Sequence, residues 1–193
     1  MTKKILLIHA HPVDDAFADQ VVAAYTEGAA ESGHTLRSLV LKRLSFDLNF
    51  SKGYRGNQEL EPDLSEAQQL IAWADHLVFV FPNWWGTYPA LLKGFIDRVF
   101  LPGFAFRYNN GHRFPDKLLK GKSARLIMTM DNPKWYYFLV VGAPGYRSLR
   151  KAVLHFCGIR PVRSFTISGI RFAGERQRHI WLQKARALGK KGI

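Results

Sequence analysis

The stretch "FVFPNWWGTYPALLKGFIDRVF", residues 79 to 100, passes from an apolar run, through a turn holding proline, two tryptophans and glycine, into a segment with helical spacing. A short run of bulky apolar residues without polar alternation reads as a strand buried on both faces, the kind found in parallel sheets. The segment "ALLKGFIDRVF" then reads as the helix that returns the chain over such a sheet. Indole rings are costly to leave in water and their N–H groups seek partners. Two of them on a turn at the end of a buried strand point to a concave site or an interface.

The same rhythm extends in both directions. Upstream, "KKILLIHAHP" is an apolar run stopped by His-Pro, and "FADQVVAAYTEGAAESG" follows with helical spacing and Gly33 as its stop. "TLRSLVL" reads as a second strand, residues 42 to 64 as a long surface excursion, and "SEAQQLIAWAD" as a helix with capping-box spacing at Ser65 and Gln68. "HLVFVF" is the third strand. Downstream come a loop, "PGFAFRYNNGHRFPD", the strand "SARLIMTM", the helix "GYRSLRKAVLHFCG", the strand "PVRSFTIS" and the closing basic helix "ERQRHIWLQKARALGKK". Five alternations predict an α/β fold: a five-stranded parallel sheet with helices on both faces, for which the flavodoxin-like order 2-1-3-4-5 is common at this size.

Composition sets the limits. A chain of 193 residues buries roughly 70% of its unfolded surface, which suits one domain over residues 1-193. No apolar run approaches the ~20 residues that span a bilayer, and the N-terminus opens a strand in place of a signal peptide, so a cytoplasmic protein is expected. Cys157, the single cysteine, forms no internal disulfide and reads as a small buried hydrophobe. Charge is uneven: residues 1 to 100 hold 9 Lys/Arg against 12 Asp/Glu, and residues 101 to 193 hold 19 against 3. Such a field attracts nucleic acid, anionic membrane or phosphorylated small molecules, and a solvated basic face accounts for it equally. Nucleic-acid binding is disfavoured because the aromatics cluster at strand ends and do not interleave with arginine along a groove.

Ligands of such sheets bind beyond the carboxyl ends of the strands, where the strand order reverses. "HAHPVDDAFA", "PNWWGTYPA" and "TMDNPKWYY" meet there. The first leads into a helix N-terminus, a natural anion site, but it carries neither a Walker lysine nor a G-x-G-x-x-G pattern. His9 and His11 alternate on a strand and so point to opposite faces, which disfavours a metal. His11 suits either a hydrogen bond to a bound anion or a structural role. Trp84 and Trp85, with main-chain N–H groups beside them, suit a flat aromatic cofactor such as a flavin; for Trp84, plugging the sheet end or a dimer interface fits as well.

The chain resembles the flavodoxin-like NAD(P)H:quinone oxidoreductases, a family that includes quinone reductases, modulators of drug activity and ancillary subunits of potassium-efflux antiporters. The resemblance is carried by "HAHPxxxxF" at 9 to 17, "FPxWWGTxPALLKGFIDRV" at 81 to 99, "LPGFAFRY" at 101 to 108 and "FCGIRPV" at 156 to 162. It implies a flavin with its phosphates against His11, Phe17 and Ala18. The ring would be edged by Pro82, Asn83, Trp84, Trp85 and Gly86 on one side and by Thr129, Met130, Asp131 and Asn132 on the other. It further implies Tyr137 over the substrate site and Arg178 and Leu182 where the adenine arm of FAD would rest. Ala16 and Ala18 replace polar residues usual in the family, and Asp131 and Asn132 replace two glycines.

The implied activity is ping-pong: a hydride passes from NADH or NADPH to flavin N5, and two electrons then reduce a quinone or similar acceptor. Trp85 would wall the flavin, and Tyr137 would donate to the acceptor oxygen as charge develops on it. The phosphate loop has no Ser or Thr hydroxyl and adds Asp14 and Asp15, which favours FAD over FMN; a solvated basic face accounts for Arg178 nearly as well. A homodimer is expected. The alternative is a flavin-binding regulatory subunit peripheral to a membrane transporter.

Overall fold

The structure is a computed structural model that describes residues 1–56, 58–109 and 114–193. Its centre is a parallel sheet of β1 (Lys4–His9), β2 (Thr35–Val40), β3 (His76–Pro82), β6 (Ser123–Met130) and β7 (Val162–Ser168), in the order β2-β1-β3-β6-β7. Counting only these five strands, that is the order 2-1-3-4-5. Side chains alternate across a strand, and the two faces of this sheet bury separate cores. Ile5, Leu7, Val78, Val80 and Ile127 pack with Val21, Tyr25 and Ala29 of α1 (Phe17–Glu31) and Ala185 of α5 (Glu175–Lys191). Leu6, Ile8, Phe79, Phe81 and Met128 pack beneath α2 (Pro62–Trp73), α3 (Ala90–Val99) and the helical stretch that begins with α4 (Pro144–Arg147). Both faces being covered explains why the strands read as unbroken apolar runs.

Helices α1 and α5 touch backbone to backbone. A side chain at Gly28 would strike the Arg186 carbonyl, and one at Gly189 would strike that of Tyr25. Gly33 takes φ +71° just beyond α1, the left-handed stop expected of it.

Several boundaries differ from the sequence reading. Helix α2 starts at Pro62 with Glu61 as its N-cap, three residues before Ser65. Proline suits the first helical position, and Gln68, freed from capping, donates to the Val99 carbonyl at 2.9 Å. The excursion before it is pinned by fully buried Arg98 of α3, which donates to the Glu61 carboxylate at 2.7 and 3.1 Å and to the Asp47 and Glu59 carbonyls at 2.7 and 3.0 Å. The expected loop from 102 to 116 contains the short antiparallel strands β4 (Phe106–Arg107) and β5 (Asp116–Lys117); its residues 110 to 113 lie outside the described residues. Beyond β6 the chain does not run on as a loop. It makes a π-helical turn over Tyr136–Val140, and α4 continues as π-helical turns over Ser148–His155.

Candidate functional site

Strand register brings the three loops together. His9 pairs with Val80, and Pro82 with Thr129, so β1, β3 and β6 end side by side where the sheet order reverses. A cavity of about 160 Å³ opens there, lined by His11, Pro82, Asn83, Trp84, Thr129, Met130, Asp131 and Ile170.

The tryptophan turn builds one wall. Trp84 N–H donates to the Thr87 carbonyl at 2.8 Å and Thr87 N–H to that of Trp84 at 2.9 Å, while Trp85 and Gly86 between them take φ +51° and +78°. Two successive positive φ values make the tight primed turn of a hairpin. A glycine takes this conformation freely and a tryptophan does not. The turn aims the two indoles differently. Trp84 lines the cavity, its ring edge-on to His11 at 6.2 Å, whereas Trp85 stands fully in solvent outside the lining. Trp84, and not Trp85, is therefore the wall of this cavity.

Main-chain donors on the loops at this end of the sheet have no partner among the described residues: the N–H groups of Trp85, Gly86, Asp131 and Asn132, and those of Phe17 and Ala18 in the first turn of α1; of these residues Asp131 lines the cavity. Asn83 contributes an acceptor. Its N–H is held by the Thr129 carbonyl at 2.7 Å, but its side-chain Oδ1 is buried with no hydrogen bond. An orphaned buried acceptor is costly unless a ligand supplies a donor.

The anion end is assembled from residues the sequence only partly flagged. Ala16 cannot cap α1 with its own side chain, so Asp19 reaches back to the Ala16 N–H at 2.8 Å, leaving the Phe17 and Ala18 donors free. His11 Nδ1 lies 3.2 Å from the Val13 N–H and 3.1 Å from its carbonyl; burial lowers its pKa below the usual histidine value. Its Nε2 has no partner among the described residues. His9, buried 3.4 Å from Asp19, is likewise held neutral chiefly by burial. Lys42 pairs with Asp14 and donates to the Val13 carbonyl at 3.2 Å. Lys42 went unrecognised, although the strand order sets the end of β2 beside that of β1.

Phe17 presents its main chain only. Its ring is covered by the Arg178 guanidinium at 5.4 Å and by Trp181 at 5.9 Å. Arg178 also donates to the Ala173 carbonyl at 3.1 Å and the Ile170 carbonyl at 3.4 Å. It lies with Leu182, Gln20 and Arg176 along an open groove of about 480 Å³, next to the α1 N-terminus. Asp131 Oδ1 accepts from the Arg171 N–H at 3.0 Å, which fixes that carboxylate at the cavity edge.

Tyr137 lies directly against the tryptophan turn. The turn at 136–140 folds it under the mouth, where it is 1% exposed. Its hydroxyl donates to the Gly86 carbonyl at 3.2 Å and accepts the Tyr146 N–H at 3.2 Å. With its one proton engaged on Gly86, Tyr137 props the tryptophan turn. Gly145 completes that prop: its N–H donates to the Gly86 carbonyl at 3.0 Å, and a Cβ there would lie 2.5 Å from Thr87 Cα.

A family model described as "flavodoxin-like fold" matches residues 3–191. The chain belongs to this family. Among relatives, mouse ribosyldihydronicotinamide dehydrogenase [quinone] is 27% identical over 97% of this chain and 93% of its own length. An NAD(P)H oxidoreductase of Haemophilus influenzae is 27% identical over 93% of this chain and 91% of its own length. Among solved structures, the NAD(P)H:quinone oxidoreductase of Methanothermobacter marburgensis superposes with a TM-score of 0.83 at 26% identity, covering 98% of each chain.

Proposed function

We propose that this protein is a flavin-dependent NAD(P)H:quinone oxidoreductase, one flavin-binding domain acting in the cytoplasm as a homodimer. The observation that carries the reading is the orphaned Asn83 Oδ1 in the cavity at the switch point, with unpartnered N–H groups on the neighbouring loops: an acceptor and donors at one sheet end suit a flat heterocycle with alternating edge groups. Relatives matched over nine-tenths or more of their own length and named as quinone dehydrogenases and NAD(P)H oxidoreductases support the same chemistry. None of those reported is named as a transporter subunit, which favours the enzyme over the regulatory alternative.

Asn83, Gly86 and the main chain of Asp131 and Asn132 would edge the flavin ring, and His11 with the Phe17 and Ala18 donors would hold its phosphate. When bound, a flavin supplies two-electron hydride chemistry between NAD(P)H and the quinone. The chain's own part is positioning. Trp84 walls the cavity, Tyr137 and Gly145 hold the turn that carries it, and the basic second half draws in the anionic nucleotide. No helix among the described residues is long and apolar enough to cross a membrane. Exposed Trp85, Trp135, Leu139 and Val140 form an apolar rim that a second copy would cover.

FAD is the proposed form, its adenosine arm lying along the groove of Arg178 and Leu182. An absorption spectrum of the purified protein and titration with FMN and FAD test the reading; no flavin band and no uptake of either would remove it. Arg178→Glu is expected to weaken FAD by about 1.5–3 kcal/mol, the scale of a charged hydrogen bond, and FMN far less. Equal losses would trace to the Ile170 turn that Arg178 also holds and would refute the adenosine arm.

A further inference from the structure

The opposite end of the sheet carries a second site. Where β1, β3, β6 and β7 begin, Lys3, His76, Ser123, Arg163 and Ile193 line a cavity of about 150 Å³. His76 is 2% exposed. Its Nδ1 shares a hydrogen bond with Ser123 Oγ at 2.8 Å, and its Nε2 is buried without a partner.

Cations gather around it. Burial above all, and after it the nearby Lys3, Arg125 and Arg163, press the His76 pKa down to about 3, so the ring is neutral. Among the described residues, no Asp or Glu side chain pairs with Lys3, Arg125 or Arg163. Lys3 Nζ donates to the Gly192 carbonyl at 2.8 Å, and buried Arg125 donates through Nε to the Ile193 oxygen. Arg163 is exposed and its side chain makes no hydrogen bond among the described residues. A buried polar nitrogen is ordinarily hydrogen-bonded. Here one arginine, a lysine and an unpartnered imidazole nitrogen border one small cavity.

We infer that this cavity binds a small tetrahedral oxyanion of the phosphate or sulfate class. With Ser123 Oγ–H donating to Nδ1, neutral His76 carries its proton on Nε2 and becomes a donor, which an oxyanion satisfies. Arg163 supplies a planar fork and Lys3 a point charge, the usual pair of side chains for such ligands. The volume admits the oxyanion and excludes a nucleotide. The site lies across the sheet from the proposed flavin mouth and does not depend on that reading.

The test is a titration of the full chain with inorganic phosphate, sulfate and acetate at constant ionic strength, read at the His76 Cε1–H resonance. That resonance is assigned by its absence in His76→Gln, so anion binding at the α1 N-terminus is not mistaken for it. Saturable movement with phosphate or sulfate but not acetate is expected, with affinity in Arg163→Ala lower by about ten- to a hundredfold, the loss of one charge-assisted contact. A resonance that phosphate leaves in place, or that moves alike with acetate or alike in Arg163→Ala, would overturn the site.

Discussion

Replacing Asn83 by leucine tests the cofactor reading in two directions at once. The Asn83 Oδ1 is buried and unpartnered, while the residue as a whole is half-buried. An unsatisfied buried acceptor costs about 1–3 kcal/mol, and partial exposure of the residue places this one near 1 kcal/mol. Leucine keeps the shape and removes the acceptor, and the main-chain bond from residue 83 to the Thr129 carbonyl is untouched. The flavin-free protein should therefore gain about 1 kcal/mol, a rise in Tm of roughly 2–4 °C for a chain of this size. Flavin binding should lose one hydrogen bond, about 0.5–1.5 kcal/mol or roughly two- to tenfold in Kd. Urea unfolding of the flavin-free protein gives the first quantity, and quenching of flavin fluorescence on titration the second. A leucine variant that is less stable yet binds flavin as the wild type does would show that Oδ1 is satisfied by solvent and faces no ligand.

Three further outcomes are expected. Tyr137→Phe leaves the Gly86 carbonyl and Tyr146 N–H without their shared hydroxyl, so it should cost about 1–3 kcal/mol in urea unfolding; unchanged stability with slowed quinone reduction would restore the hydroxyl to the chemistry. Arg98→Met breaks a buried charge cluster, at a cost of about 3–5 kcal/mol. Burial opposes ionisation of Glu61, but the hydrogen bonds from Arg98 and the main chain outweigh it and hold the carboxyl below its usual range. That stabilisation is full above the unfolded carboxyl's pKa and is lost as pH falls through the folded one. Urea midpoints measured down to about pH 3 should accordingly fall less steeply for Arg98→Met than for the wild type; parallel acid limbs would count against the pair. Trp85→Gly relieves a left-handed backbone worth about 1–2 kcal/mol and buries nothing less, so the flavin-free protein should melt higher. A variant that melts no higher would deny that the turn is strained.

The sheet was legible because a strand covered on both faces leaves an unbroken apolar run, as in "KILLIH" and "HLVFVFP". Convergence at the mouth followed from strand order alone. Side-chain direction did not. Trp84 and Trp85 are adjacent in sequence, and only the sign of φ at 85 decides which one lines the cavity. Tyr137 carries the residue type for a donor over a substrate, yet a π-helical turn, which has no sequence signature, tucks it beneath Gly86. Helix α2 begins at Glu61 and Pro62 because Arg98, far along the chain, holds the Glu61 carboxylate, and local capping signals could not report that. Lys42 was hidden for a similar reason: its closeness to Asp14 belongs to the packing of strand ends.

The glycine contacts between α1 and α5 bear on how the proposed cofactor groove accommodates its ligand. With no side chain at Gly28 or Gly189 to act as a bearing, the two helices are seated directly on each other's carbonyls and neither can roll or slide without a backbone collision. They form a rigid plate that carries the Phe17 donors and Arg178 together at one end. Ligands of different length must then be fitted by rotamers at that end, at Arg176, Arg178 and His179, and not by drawing the closing helix in or out like a drawer.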